Sequence, residues 1–169
     1  MRSRLLFTAL VVLGSAMPAR ADRYADCKAE VEPDRVIRGC AAIIEQERRE
    51  SVVLRAGAYG RRGVAYFRKG DLGRAIADYD QAIALDPKYS IAYHNRGYAY
   101  SHKGDLDRAI ADYDKAIALN HPVLAYIYRV RAKAYEKKGD MVLANADYDK
   151  ATELEHVAKV RKAPPAGIK

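Results

Sequence analysis

The sequence predicts an all-α chain, an α-solenoid of helix–turn–helix units stacked side by side, and three observations carry that expectation. One phrase recurs, as GDLGRAIADYDQAIALDP from Gly70, GDLDRAIADYDKAIALNHP from Gly104 and GDMVLANADYDKATELE from Gly139, spaced by 34 and then 35 residues. A period of that length marks a supersecondary unit that cannot bury its own apolar face and must share a core with its neighbours. Small and apolar residues also recur at helical steps on both sides of the phrase, and a Gly-Asp pair punctuates each unit at its middle.

The first helix of each unit carries Tyr59, Gly63 and Tyr66, then Tyr93, Gly97 and Tyr100, then Tyr128, Ala132 and Tyr135. Steps of four and three put these residues on one helical face, which is expected to pack inward. Gly70, Gly104 and Gly139 follow, able to take the left-handed conformation that closes a helix. Asp71, Asp105 and Asp140 come next as side-chain acceptors for the first amides of the second helix. That second helix carries Ala75, Tyr79, Ala82 and Leu85, repeated as Ala109, Tyr113, Ala116 and Leu119 and as Ala144, Tyr148, Ala151 and Leu154. Alanine allows close backbone approach, and tyrosine fills the space beside it.

This order of aromatic, small, aromatic, then Ala, aromatic, Ala, then Pro resembles the tetratricopeptide repeat family. The resemblance covers units at 56–89, 90–124 and 125–158. Arg62, Arg96 and Arg131 stand where the family usually has Leu, which suggests a repeating ion pair. Ala132 replaces the usual Gly, and Asn120-His121-Pro122 is one residue longer than Asp86-Pro87.

The N-terminus follows a different logic. Met1 to Arg4 is basic, Leu5 to Met17 is mostly apolar, and Ala19-Arg20-Ala21 has the small-x-small form of a cleavage site. Residues 1–21 are therefore expected to be a secretory signal peptide, too short to span a membrane, with the mature chain starting at Asp22 in the periplasm or outside the cell. Residues 22–55 form a degenerate helix pair and linker. Aligning Asp34 to Ile37 with Asp107 to Ile110 places Cys27 at the position of Tyr100 and Cys40 at that of Tyr113. Two core aromatics have become a facing cysteine pair, for which a structural disulfide is expected ahead of free buried thiols or redox activity. Such a bond would contribute about 3 kcal/mol by loop-entropy reckoning. Residues 159–169, with Pro164-Pro165 among them, are expected to be a flexible tail.

Charge narrows the partner class. The chain carries +8 formally, and about +5 once Arg2, Arg4 and Arg20 leave with the signal. Basic residues alternate with aspartates instead of forming a block, so nucleic acid is not the expected partner, nor is stable insertion into a membrane. Catalytic motifs are missing from the sequence, and the four histidines have no second ligand at metal spacing, each reading as a surface residue. The triplets Asp78-Tyr79-Asp80, Asp112-Tyr113-Asp114 and Asp147-Tyr148-Asp149 place their carboxylates about 200° apart on a helix, which argues against a cation site. Arg74 with Asp78 and Arg108 with Asp112 are expected as i,i+4 pairs. No enzyme, metal or cofactor is expected.

The family resemblance implies a concave groove lined by first-helix residues. On this sequence those are Arg61, Val64 and Arg68, then His94, Asn95, Tyr98 and His102, then Arg129, Lys133 and Lys137, with Gly57, Gly60, Phe67, Ile91 and Tyr126 beside them. Such a lining suits an extended peptide or partner helix of acidic character. Of the Lys and two Asn with which family members clamp a C-terminal carboxylate, only Asn95 matches, with Gly60 and Val64 where the Lys and first Asn would be. The expected function is a scaffold or adaptor that binds a protein partner. An accessory factor of a cell-envelope enzyme, or one that binds an anionic polymer through its basic surface, is the alternative.

Overall fold

Glycine in a left-handed conformation closes the first helix of every repeat, and aspartate opens the second. Gly70, Gly104 and Gly139 have φ of 80°, 80° and 85°. The amide of the following Asp returns to the carbonyl of Tyr66, Tyr100 or Tyr135, which satisfies the last turn. Asp71, Asp105 and Asp140 then accept from the amides of Arg74, Arg108 and Leu143 at 2.9, 3.2 and 3.1 Å. A computed structural model describes residues 20–29, 32–46 and 50–162. Among them are eight helices and no strand: α1 Arg20–Cys27, α2 Pro33–Ile44, α3 Val52–Arg68, α4 Leu72–Leu85, α5 Ser90–His102, α6 Leu106–Ala118, α7 Leu124–Lys138 and α8 Met141–Lys162.

Each helix packs on the next in chain order, as a solenoid requires. In addition α3 touches α5 and α5 touches α7, whereas no contact joins α4 to α6 or α6 to α8. The first helices of the repeats therefore converge on an inner wall, and the second helices splay on the outer one. The main core runs through Ala75, Tyr79, Tyr100, Tyr113, Ile127 and Val130. A second cluster, with Cys27, Cys40, Ile43 and Ala65, seats the degenerate pair against α3. Cys27 and Cys40 are joined by a disulfide inside it.

Glycine size decides how the tyrosines pack. A Cβ on Gly63 would lie 2.6 Å from Cε1 of Tyr79, and one on Gly97 would lie 3.0 Å from Cε1 of Tyr113. Both tyrosines are 1% exposed. Tyr148 departs from the expected core stripe. It is only half-buried, because Ala132 brings the methyl that Gly63 and Gly97 lack and no further helix among the described residues covers the ring, so its hydroxyl turns to Glu136 at 3.0 Å.

The arginines at the usual Leu position form the ladder that the sequence suggested. Arg62 grips Asp78, Arg96 grips Asp112 and Arg131 grips Asp147, each through two bonds of 2.8 and 2.7 Å. Arg96 also reaches back to Asp80 at 2.6 Å, and Arg131 to Asp114 of the preceding repeat. The fork thus joins neighbouring units as well as the two helices of one unit. Hydrogen bonds to Asp112 and Asp147 hold Arg96 and Arg131 well above the ordinary guanidinium range. Burial pushes Asp112 up against the pull of Arg96, and the two-bond geometry keeps the pair ionised. The expected i,i+4 pairs do not form. Arg74 and Arg108 turn to the capping Asp71 and Asp105 instead, lying 4.4 Å over the rings of Tyr66 and Tyr100.

α1 begins at Arg20, within the residues 1–21 expected as a signal, and two further helix ends pass the expected unit boundaries. α3 begins at Val52, since the Ser51 hydroxyl accepts from the Leu54 amide at 3.2 Å and opens the helix before residue 56. α8 runs through 159–162 to Lys162, because no proline stands where Pro87 and Pro122 end the earlier units. Residues 1–19 of the expected signal and 163–169 of the expected tail lie outside the described residues.

Candidate partner-binding groove

The inner wall carries clefts and an aromatic seam, and Gly57 and Arg61 line one cleft of about 290 Å³ beside α1 and α2. Between α5 and α7 lies a cleft of about 360 Å³ whose lining includes Tyr98, His102, Tyr126, Arg129, Lys133 and Lys137. Lys133 and Lys137 are exposed and one turn apart, so their ammonium groups approach from the same side. Arg61, Val64 and Arg68 lie in a separate cleft of about 570 Å³, with Lys28, Val36 and Ala65. Phe67 lines none of these clefts, and its ring sits 5.3 Å from Tyr98 and 5.1 Å from His102. Arg61, Val64 and Arg68 thus lie apart from Tyr98, His102, Arg129, Lys133 and Lys137, and His94 and Asn95 line none of the three clefts.

Arg129 and His94 are among the predicted residues already engaged. Arg129 donates from Nε and one terminal nitrogen to both oxygens of Glu155, each at 2.9 Å. These bonds lower the pKa of Glu155 and raise that of Arg129. His94 is half-buried among rings, with His121 at 5.2 Å, Tyr126 at 5.5 Å and Tyr98 and Tyr113 at 6.4 Å. Burial, then the neighbouring His121, pulls its pKa down to about 4. Asn95 is half-buried on the same helix.

His121 corrects the surface reading of the histidines. It is 6% exposed, and its Nδ1 accepts the Val123 amide at 3.2 Å. The additional residue of the 35-residue spacing supplies the reason: Asn120 takes φ of 52° and the turn tucks the imidazole over His94. In the previous repeat the corresponding space over Gly60 is filled by Tyr89, whose Cε1 would be 3.1 Å from an added Cβ. The place where a clamp lysine would stand is therefore closed by the protein's own ring.

Ser101 and Glu155 were missed at the sequence level. Ser101 follows from the step of three after Tyr98. Glu155 had no signal, because the corresponding Asp86 and Asn120 lie outside helices. Among the described residues, no group of three His, Cys, Asp or Glu can hold a metal ion, and no helix is long and apolar enough to cross a membrane.

Comparison with known proteins fits this geometry. The family signature "TPR repeat" matches residues 63–104, and "Tetratricopeptide repeat" matches 90–121. Curated protein sequences give no match. Among solved structures, MamA is similar at 30% identity and a TM-score of 0.67, over 75% of this chain and 71% of that one. The second TPR of Spaghetti (RPAP3) bound to HSP90 peptide SRMEEVD is similar at 27% identity and 0.56, over 59% and 91%. The N-terminal domain of stress-induced protein-1 (STI-1) from C. elegans shares the fold at 23% identity and 0.58, over 67% and 97%. The repeat spacing, the alternating helices and these likenesses together make the chain a member of the tetratricopeptide repeat family.

Proposed function

We propose that this protein is a non-catalytic adaptor, exported from the cytoplasm, that holds an acidic protein segment along its inner wall. The observation that carries the reading is the α5–α7 cleft. There Tyr98 and Tyr126 offer rigid contact area while Lys133 and Lys137 offer unshared positive charge at its rim. The similar RPAP3 repeat is bound to a peptide with three acidic residues, which supports the same ligand class here. The Cys27–Cys40 bond supports a working place outside the cytoplasm, where disulfides persist.

Charge reversal tests the reading. Lys133→Glu with Lys137→Glu should leave the melting temperature nearly unchanged, since exposed substitutions usually stay within about 0.5 kcal/mol. The same variant should lose binding to a labelled peptide of alternating Glu and Tyr. Lys115→Glu with Lys150→Glu, on the outer helices, makes the same change in net charge and should keep it. Loss with the outer pair and retention with the inner pair would move the site off this wall.

A further inference from the structure

We propose that Glu155 is an internal stand-in for the partner's carboxylate, a displaceable latch on Arg129 that sets the affinity of the α5–α7 cleft for acidic segments. The inference rests on the adaptor reading and adds a regulatory residue to it. α4 and α6 end at Leu85 and Ala118, so the positions corresponding to Glu155 fall in turns. There Asp86 accepts from the amide of Lys88 at 3.0 Å and stays local. α8 continues instead through Lys162, so Glu155 stays in the helix and meets Arg129 of α7. Its two oxygens take the two parallel bonds by which a guanidinium recognises a carboxylate.

The latch is built to open. Both side chains are 42% exposed, so water and salt screen the pair and an incoming carboxylate can reach the same fork. Arg129 lines the cleft together with Lys133 and Lys137, which are not similarly occupied among the described residues. The partner's first carboxylate therefore meets the two lysines, and a second replaces Glu155 on Arg129. Displaced, Glu155 returns to water at the surface of α8.

The test uses the full chain and a fluorescein-labelled peptide of alternating Glu and Tyr, read by anisotropy. Glu155→Gln should bind about two- to fivefold more tightly than the unaltered protein, the scale of an exposed pair. Glu153→Gln removes the same charge from α8, and there the affinity should stay unchanged. In an Arg129→Gln background, Glu155→Gln should have no effect. Equal affinity for Glu155→Gln and the unaltered protein overturns the latch and leaves the groove standing, as does an equal gain from Glu153→Gln. If the peptide binds neither the unaltered protein nor Glu155→Gln, the acidic groove falls and the latch with it.

Discussion

Gly63 lies beneath the ring of Tyr79, so close that a single added carbon would stand 2.6 Å from Cε1. Gly63→Ala must push a buried ring. Overpacking costs about 1–3 kcal/mol and the gain in helix propensity returns about 1 kcal/mol. The expected result is a lower melting temperature, by up to about 2 kcal/mol in stability, and a rise in melting temperature would contradict the packing.

The two later tyrosines should part company. Tyr113→Ala removes a ring that is 1% exposed and should cost about 3–5 kcal/mol. Tyr148→Ala removes a half-buried one with a surface hydrogen bond and should cost much less. Equal losses in denaturant melts would refute the unequal burial.

The arginine ladder predicts a second inequality. Arg96 joins Asp112 of its own repeat and Asp80 of the previous one, while Arg62 joins Asp78 of its own repeat. Arg96→Ala leaves a buried carboxylate unpaired and should cost about 2–3 kcal/mol, discounted for a half-exposed fork. Arg62→Ala should cost less. Adding Asp112→Ala to Arg96→Ala should recover part of the loss, because the stranded charge is gone.

Acid should loosen the seam around His94. An unfolded chain takes a proton on this imidazole near pH 6.5, whereas the folded one resists until about 4. The unfolded state therefore binds more protons between these values, and stability falls as pH drops from about 6.5 to about 4, by the order of 2–3 kcal/mol. The rings facing His94 are His121, Tyr98, Tyr113 and Tyr126, none of them a counter-charge. Melts of His94→Gln across this window should be flatter than those of the unaltered protein. Parallel curves would remove His94 as the cause.

Export and the disulfide are checked together. Intact mass of protein recovered from the exported fraction should start at Asp22 and show no alkylatable thiol before reduction. Reduction should cost about 3 kcal/mol and release hydrogen-exchange protection in α1 and α2 before α5 and α6. An uncleaved Met1, or two free thiols, would defeat the corresponding claim.

Repeats were legible wherever the same physical demand recurs. Tyr79 and Tyr113 need Gly63 and Gly97 beneath them, and each turn needs its glycine and aspartate, so period and residue type announced them together. The Cys27–Cys40 bond was readable through register, since the pair replaces aromatics that face each other. What stayed hidden depends on distance across the fold. Asp78 has Arg74 at helical spacing, yet its real partner is Arg62 on another helix. Arg129 looked available until a longer α8 brought Glu155 to it, and His121 looked exposed until an extra turn residue folded it inward.

Ile76 and Ile110 are 9% exposed in the main core, and the corresponding residue of α8 is an exposed Asn145. Ile83 and Ile117, half-buried, correspond likewise to an exposed Thr152. An engineered duplicate of the middle unit would therefore seat itself between isoleucine surfaces if inserted ahead of α7, lengthening the array by one step. The same duplicate placed after α8 would meet an amide and a hydroxyl where the inner units offer isoleucine. These two positions favour lengthening the solenoid from within.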